Sequence, residues 1–182
     1  MRILGIDPGS NATGFGVVER SGGRLVHVAH GTVRPPRGAP LAARLAYLQG
    51  AIREVVAEYR PDVAVVEQVF VAASPRAALV LGQARGAVLS AVGAAGLAVS
   101  EYTASQVKQA VTGNGQAAKS QVQTVVRRLL GLERAPASDA ADALAVAIRH
   151  AHSGRLESAG VVGSSRRRPP RRPASLRVRP VR

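Results

Sequence analysis

Acids are scarce in this chain, 11 against 25 Lys and Arg, and four of them sit where they could do chemistry. Asp7 ends the apolar run Ile3-Leu4-Gly5-Ile6, and Glu67 ends Val63-Ala64-Val65-Val66. A buried carboxylate without a partner is expensive. A charge delivered by a segment built for burial therefore marks an exposed strand tip, an ion pair or a ligand. If the two segments lie side by side and parallel, both carboxylates emerge at the sheet edge where open α/β sheets place their ligands. Asp139 and Asp142, in "SDAADALAVAIRH", are three residues apart and share one helix face. Ala140, Ala141 and Ala143 around them would let another surface approach closely. Spacing alone favours a milder role for this pair, as acids complementing a helix dipole. Four carboxylates converging on one spot would repel one another, and divalent cations would relieve that. An all-oxygen donor set suits Mg²⁺ or Mn²⁺ rather than Zn²⁺. Two such ions ~3.5–4 Å apart form a clamp for phosphodiester hydrolysis, one activating water and the other stabilising the leaving 3′ oxygen.

These residues need a scaffold, and the pattern of the chain supplies one. Residues 2–7, 14–20 and 24–33 read as strands, with Gly22-Gly23 as a hairpin turn. Leu41, Leu45, Leu48, Ile52, Val55, Val56 and Tyr59 repeat at helical spacing, which predicts a helix over 41–59 stopped by Pro61. The near-continuous apolar run at 62–68 reads as a central strand buried on both faces. A long Ala-rich helix over 75–95, a fifth strand over 97–102, and helices over 104–111, 119–130 and 139–152 complete the series. The order β-β-β-α-β-α-β-α-α-α predicts an α/β domain with a mixed five-stranded sheet, flanked by helices on both faces.

Composition narrows the function classes. Hydrophobic residues make up 46% of the 182 and aromatics 3%, so the core must be aliphatic. Cysteine is absent, which excludes disulfides and thiolate metal sites. The formal net charge of +14 points to a polyanion, nucleic acid first. The apolar run over 86–99 is shorter than the ~18 residues of a membrane span, and no secretory signal is visible at the start. A cytoplasmic protein with no membrane partner is expected. The charge is uneven: residues 153–182 hold nine Arg and one acid, Glu157. This Pro/Arg-rich stretch has no apolar periodicity to offset ordering entropy. The expected organisation is a folded domain over 1–152 and a disordered basic tail over 153–182, which serves solubility or salt-sensitive phosphate contact.

Four strings, "GIDPGSNATGFGVV", "EQVFVAASPRAALVLGQARG", "QVKQAVTGNGQAAKSQVQ" and "DAADALAVAIRH", closely resemble the RuvC Holliday-junction resolvases of bacteria. The likeness runs in order and with family-like spacing from about residue 2 to 152. It implies an RNase H-like fold, a homodimer, and Mg²⁺-dependent cleavage of four-way DNA junctions in recombination and repair. Two strands would be nicked symmetrically, leaving 5′-phosphate and 3′-hydroxyl ends, in company with a RuvA–RuvB branch-migration complex. The family's catalytic, metal-holding acids fall on Asp7, Glu67, Asp139 and Asp142. Some members carry His where this chain has Asp139.

Other residues gain meaning beside that resemblance. Phe70 follows Glu67 by three residues; an exposed ring there would stack on an unpaired base, a contact worth ~1–3 kcal/mol. The matching Phe in the family contacts DNA at the junction point. Only two lysines accompany 23 arginines, Lys108 and Lys119, and they flank "TGNG". Lys is a compact point charge where Arg is a planar fork, and the family carries Lys at both positions near the cleaved phosphate. Arg76, Gln116, Gln68, Gln83 and Arg85 are further candidates for phosphate or base contact. The loop Ala73-Ser74-Pro75 departs from the Lys and Asn common in the family, so its DNA contacts are expected to differ. Ala78, Gly82 and Gly86, four apart on the long helix, would permit close helix approach, and the resemblance puts this helix at the dimer interface. His27, His30, His150 and His152 are not expected to bind metal.

Three rival readings compete. "GIDPGSNATG" is similar to the first phosphate loop of actin-like kinases and chaperone ATPases, but those chains are about twice as long and no second copy of the motif occurs here. A non-catalytic DNA-binding module would suit the charge but would not need the four acids. A nuclease trimming ribosomal RNA precursors shares the first motif but lacks the long second one.

Overall fold

The computed structural model describes residues 1–68 and 74–158, the side chains of 154–158 excepted. Phe70, Ala73 of the altered loop, and residues 159–182 of the expected basic tail lie outside the described residues; Ser74 and Pro75 of that loop start the second long helix, the Ser74 side chain accepting from the Ala77 amide at 3.2 Å.

The described residues form one five-stranded sheet in the order β3-β2-β1-β4-β5. The strands are β1 (Arg2–Asp7), β2 (Thr13–Ser21), β3 (Arg24–Val33), β4 (Val63–Gln68) and β5 (Ala98–Thr103). The first three form an antiparallel meander, and β4 and β5 add in parallel on the far side of β1. The helices are α1 (Leu41–Tyr59), α2 (Pro75–Ala94), α3 (Ala104–Thr112), α4 (Lys119–Leu129) and α5 (Ser138–Ser158). This is the RNase H-like mixed sheet that the motifs implied.

Strand alternation divides the apolar residues between two cores, as a sheet covered on both faces requires. Ile3, Val63 and Val65 face one way, into a core closed by Val107 and Val111 of α3, Val122 and Val126 of α4, and Leu144 and Ile148 of α5. Leu4, Ile6, Ala64 and Val66 face the other, against Leu48 and Ile52 of α1 and Val88 and Val92 of α2. Complete burial of Leu, Ile or Val is worth about 1.5–3 kcal/mol each. These two aliphatic layers therefore stabilise the domain without aromatic help.

The element bounds differ from expectation by a residue or two, with one larger correction. The last helix does not end at His152; α5 continues to Ser158. Nothing in Ser153-Gly154-Arg155-Leu156-Glu157 forces a stop: no proline intervenes, and Arg, Leu and Glu are good helix formers. The helical part of the chain thus reaches six residues into the segment expected to be tail. α2 is longer than the apolar run that the sequence shows at 86–99. It has 20 residues, and an 18-residue stretch of it has a mean hydropathy of 1.4, so by length and composition alone it could cross a membrane. In the fold it links β4 to β5 and packs on the second core through Ala84, Val88, Ala91 and Val92.

Candidate active site

Ile6 of β1 is paired with Val66 of the parallel β4, so Asp7 and Glu67 are the next residues on two neighbouring strands. Parallel neighbours lie about 4.8 Å apart. Both acids share the sheet face of Ile3, Val63 and Val65, which is the face covered by α5. Register and alternation thus aim two carboxylates at the same helix.

α5 sits unusually close to the sheet. A Cβ on Gly5 would lie 2.1 Å from the Ala143 carbonyl oxygen, and one on Gly14 would lie 1.9 Å from that of Asp139. Only glycine fits at either place. The opposing helix residues, Ala140, Ala141, Ala143 and Ala147, are small and essentially buried. Backbone-to-backbone contact therefore holds the first two turns of α5, which carry Asp139 and Asp142, over the tips of β1 and β2. The chain leaves β1 through Pro8-Gly9. The Thr13 hydroxyl closes that loop, accepting from the Gly9 amide at 3.3 Å and lying 3.4 Å from the Gly9 carbonyl.

The opposite wall comes from α3 and α4. Thr103 caps α3 by accepting from the Gln106 amide, while the Gln106 side chain accepts from the Thr103 amide. Gly113 ends α3 in the left-handed region, at φ 76°. The Gln109 side chain then ties down the turn, donating to the Gly113 carbonyl and accepting from the Gly115 amide. This braced turn sets Lys108 on α3 and Lys119 at the start of α4 against the same space.

The result is a cavity of about 190 Å³ lined by Asp7, Glu67, Asp142, Lys108 and Lys119, with Ala104, Val107, Val122 and Ala145 as its apolar floor. Lys119 donates to Asp142 at 3.0 Å. Asp139 does not line this cavity; it stands at the rim, 3.6 Å from the Arg34 guanidinium. Burial, with Glu67 and Asp142 nearby and Asp139 beyond them, pushes the Asp7 carboxyl up to about 7 against the pull of Lys119. Burial and Asp142 also push Glu67 up, opposed by both lysines. The hydrogen bond and charge of Asp142 hold the Lys119 ammonium above its usual range. Crowded acids of this kind in a cleft are a signature of functional sites.

The donor set suits a hard cation: every candidate ligand is a carboxylate oxygen, and a cation would offset both the burial and the neighbouring charges that raise the Asp7 carboxyl. Among the described residues, no three His, Asp or Glu side chains stand close enough together to hold an ion as placed. The Lys108 and Lys119 ammonium groups are the cations that the cavity itself supplies.

Other candidate residues fall outside the cavity. Arg76 is exposed in the first turn of α2, and Gln116 is exposed in the turn before α4. Arg85 and Gln68 are both bound to Glu101, Arg85 as an ion pair at 2.5 Å and Gln68 at 3.4 Å, so they brace β5 against α2 and β4. His27 and His30 pair with each other on β3 at 2.7 Å. The sequence reading missed Arg34, because a lone Arg after a strand has no spacing signal; its place beside Asp139 depends on β3 returning to the edge of β1.

The comparisons with known proteins agree with this geometry. The family model for crossover junction endodeoxyribonuclease RuvC matches residues 3–150. A protein of that description from Thiobacillus denitrificans is 56% identical over 163 residues, 90% of this chain and 95% of its own. The structure of Thermus thermophilus RuvC in complex with a Holliday junction substrate superposes with a TM-score of 0.81 at 38% identity, covering 87% of this chain and 97% of that one. The yeast mitochondrial Holliday junction resolvase shares the fold, with a TM-score of 0.66 at 10% identity, 87% of this chain and 82% of that one. With the acids of β1, β4 and α5 drawn together on this fold, and a match that spans the whole domain, the chain belongs to the RuvC family.

Proposed function

We propose that the protein is a structure-selective endonuclease that resolves Holliday junctions by nicking two strands symmetrically, in homologous recombination and DNA repair. One observation carries the reading: Asp7 and Glu67 end adjacent parallel strands on the face of α5, and Asp142 and Lys119 close one cavity with them. The family match supports the choice of substrate.

In this reading Asp7, Glu67 and Asp142, with Asp139 at the rim, would hold Mg²⁺, two ions when full, with Mn²⁺ as a substitute. Bound ions of this kind supply an activated water and charge to stabilise the leaving oxygen. The protein's own groups do the rest. Asp7 must give up its proton before it can act as an anionic ligand, and Glu67 is pushed the same way. Lys119 neutralises Asp142 and stands where the scissile phosphate would approach, and Lys108 offers a second cation on the same wall. Water adds to phosphorus, the bond to the 3′ oxygen breaks, and that oxygen takes up a proton, leaving 5′-phosphate and 3′-hydroxyl ends. Phe70 is assigned to stacking on an unpaired base at the junction point, and Arg76 and Gln116 to contacts on flanking DNA.

A homodimer fits a nearly two-fold junction. The face of α2 supports it: Gly82, Gly86 and Gly93 have open space where a side chain would stand, and Leu79 is 64% exposed. RuvA–RuvB as partner and the cytoplasm as location follow from the same reading.

The test is a cleavage assay on a four-way junction, a matched linear duplex and an RNA duplex, with and without Mg²⁺. Cutting of the junction alone, only with Mg²⁺, and its loss by at least about 10³-fold in Asp7→Asn with binding retained, is the expected result. Wild-type cutting by Asp7→Asn would end the reading.

A further inference from the structure

We propose a second phosphate-binding site, built by Arg34, Arg37 and Arg44 on the side of the acidic cavity away from Lys108 and Lys119. It rests on the nuclease reading and deepens it by naming where the cut strand is held.

The connection from β3 to α1 forms this corner. Pro35 and Pro36 have fixed φ and no N–H to satisfy, and Gly38 turns the chain at φ 76°. Arg34 and Arg37 lie along this segment, and Arg44 reaches back from the first turn of α1. The Arg44 guanidinium donates to the Ser10 carbonyl and to Asn11 Oδ1, tying α1 to the loop that leaves Asp7. Arg34, Arg37 and Arg44 line a cavity of about 360 Å³ with Asn11, Ala12, Pro35 and Gly38. No acid lines it. The nearest ion pair is Arg34 with Asp139, at 3.6 Å, and the Arg34 side chain is 62% exposed, so the pair is loose. Among the described residues Arg37 has no ion-pair partner. α1 adds to the field, since its N-cap is Pro40, no side chain caps it, and its first turn carries no acid. The positive end of its dipole is uncompensated.

Three guanidinium groups around one hollow repel one another. A phosphate diester resolves that, because guanidinium forks match its oxygens. The position along the sheet edge indicates which phosphate. From β3 to β5 the C-terminal edge presents Arg34, then the loop after Asp7, then Asp7 and Glu67, then the strand that leads into Lys108. Cations flank the acids on both sides. At about 4.8 Å per strand, β3 lies two spacings from β1, within reach of the neighbouring phosphates of a strand whose scissile bond is at Asp7. The ligand is a phosphodiester of the cut strand, next to the scissile one on the side of Asp139.

The experiment measures junction binding by the full chain in EDTA, where no cutting occurs, over a range of salt concentrations. Arg37 is exposed, so Arg37→Ala is expected to fold. It should weaken binding roughly tenfold and lower the slope of log K on log salt by about 0.9, one phosphate contact. Arg37→Lys should restore the slope. Junctions with one methylphosphonate at each phosphate beside the cut should locate the contact: one position should weaken the wild type and leave Arg37→Ala unchanged. An unchanged slope in Arg37→Ala, or no such position, overturns the site while leaving the nuclease reading standing. A wild type that neither binds nor cuts the junction overturns both.

Discussion

α5 and α2 have similar compositions and opposite fates. Both are long and rich in alanine. In α5 the small residues are pressed against the sheet, where Gly5 and Gly14 have no room even for a methyl group. In α2 the glycines Gly82, Gly86 and Gly93 face open space. The same chemistry therefore serves two ends. On α5, smallness brings Asp139 and Asp142 over the tips of β1 and β2. On α2, it leaves a face that another helix can approach.

The largest effect is expected from closing the gap under α5. Gly14→Ala puts a methyl group into the Asp139 carbonyl, and overpacking of this kind costs about 1–3 kcal/mol or more. Because the shift displaces the acids, junction cutting should fall by orders of magnitude, beyond what the drop in melting temperature explains. Folding and cutting at wild-type levels would show that the close approach is not needed.

The acidic cavity is expected to make stability depend on pH. The Asp7 carboxyl is raised from 3.8 to about 7 in the folded state. Between these values the unfolded chain has lost a proton that the folded chain keeps, so stability falls as pH rises from about 4 to 7. Each pKa unit corresponds to about 1.4 kcal/mol, and partial solvent access keeps the total to a few kcal/mol at most. Melting without divalent ions should show Asp7→Asn gaining on the wild type above pH 7 and not below pH 4. Parallel curves would refute the raised Asp7 carboxyl that burial and its acidic neighbours produce.

Lys119→Ala removes the partner of Asp142 and the charge that opposes protonation of Asp7 and Glu67. Cutting should drop about 10–100-fold, the scale of one lost charge-assisted contact, and the pH at which it rises should move up. A slower rate with an unmoved pH profile would assign Lys119 to phosphate alone.

The smallest effect sharpens the contrast on α2. Gly82→Ala improves helix propensity by about 0.5–1 kcal/mol if its surroundings stay open. Gly82→Arg should leave the fold intact and halve the sedimenting mass if α2 is the interface between copies. A monomeric wild type would remove the α2 interface altogether.

Much of the site is legible in the residue types and their spacing. Asp7 and Glu67 stood out because a charge at the end of an apolar strand has few explanations, and register then made them neighbours. Lys108 and Lys119 stood out against a background of arginine, and both line the cavity. Spacing at i, i+3 gives Asp139 and Asp142 one helix face, but where that face crosses the sheet edge decides which acid enters the cavity. Arg34 and Arg37 had no local signal, since their meaning comes from β3 ending beside the loop after β1. Periodicity ends the last helix at His152, six residues before Ser158, because a helix without a strong stop runs on.

The sequence by itself determined the elements, their order and the chemical types available, since periodicity, turn residues and charge are local properties that each segment carries. Which carboxylates share a cavity, which stays at the rim and which cations flank them emerge in the folded molecule alone. Those outcomes depend on strand register and on how near α5 can come to the sheet, and both are contacts between residues far apart in the chain.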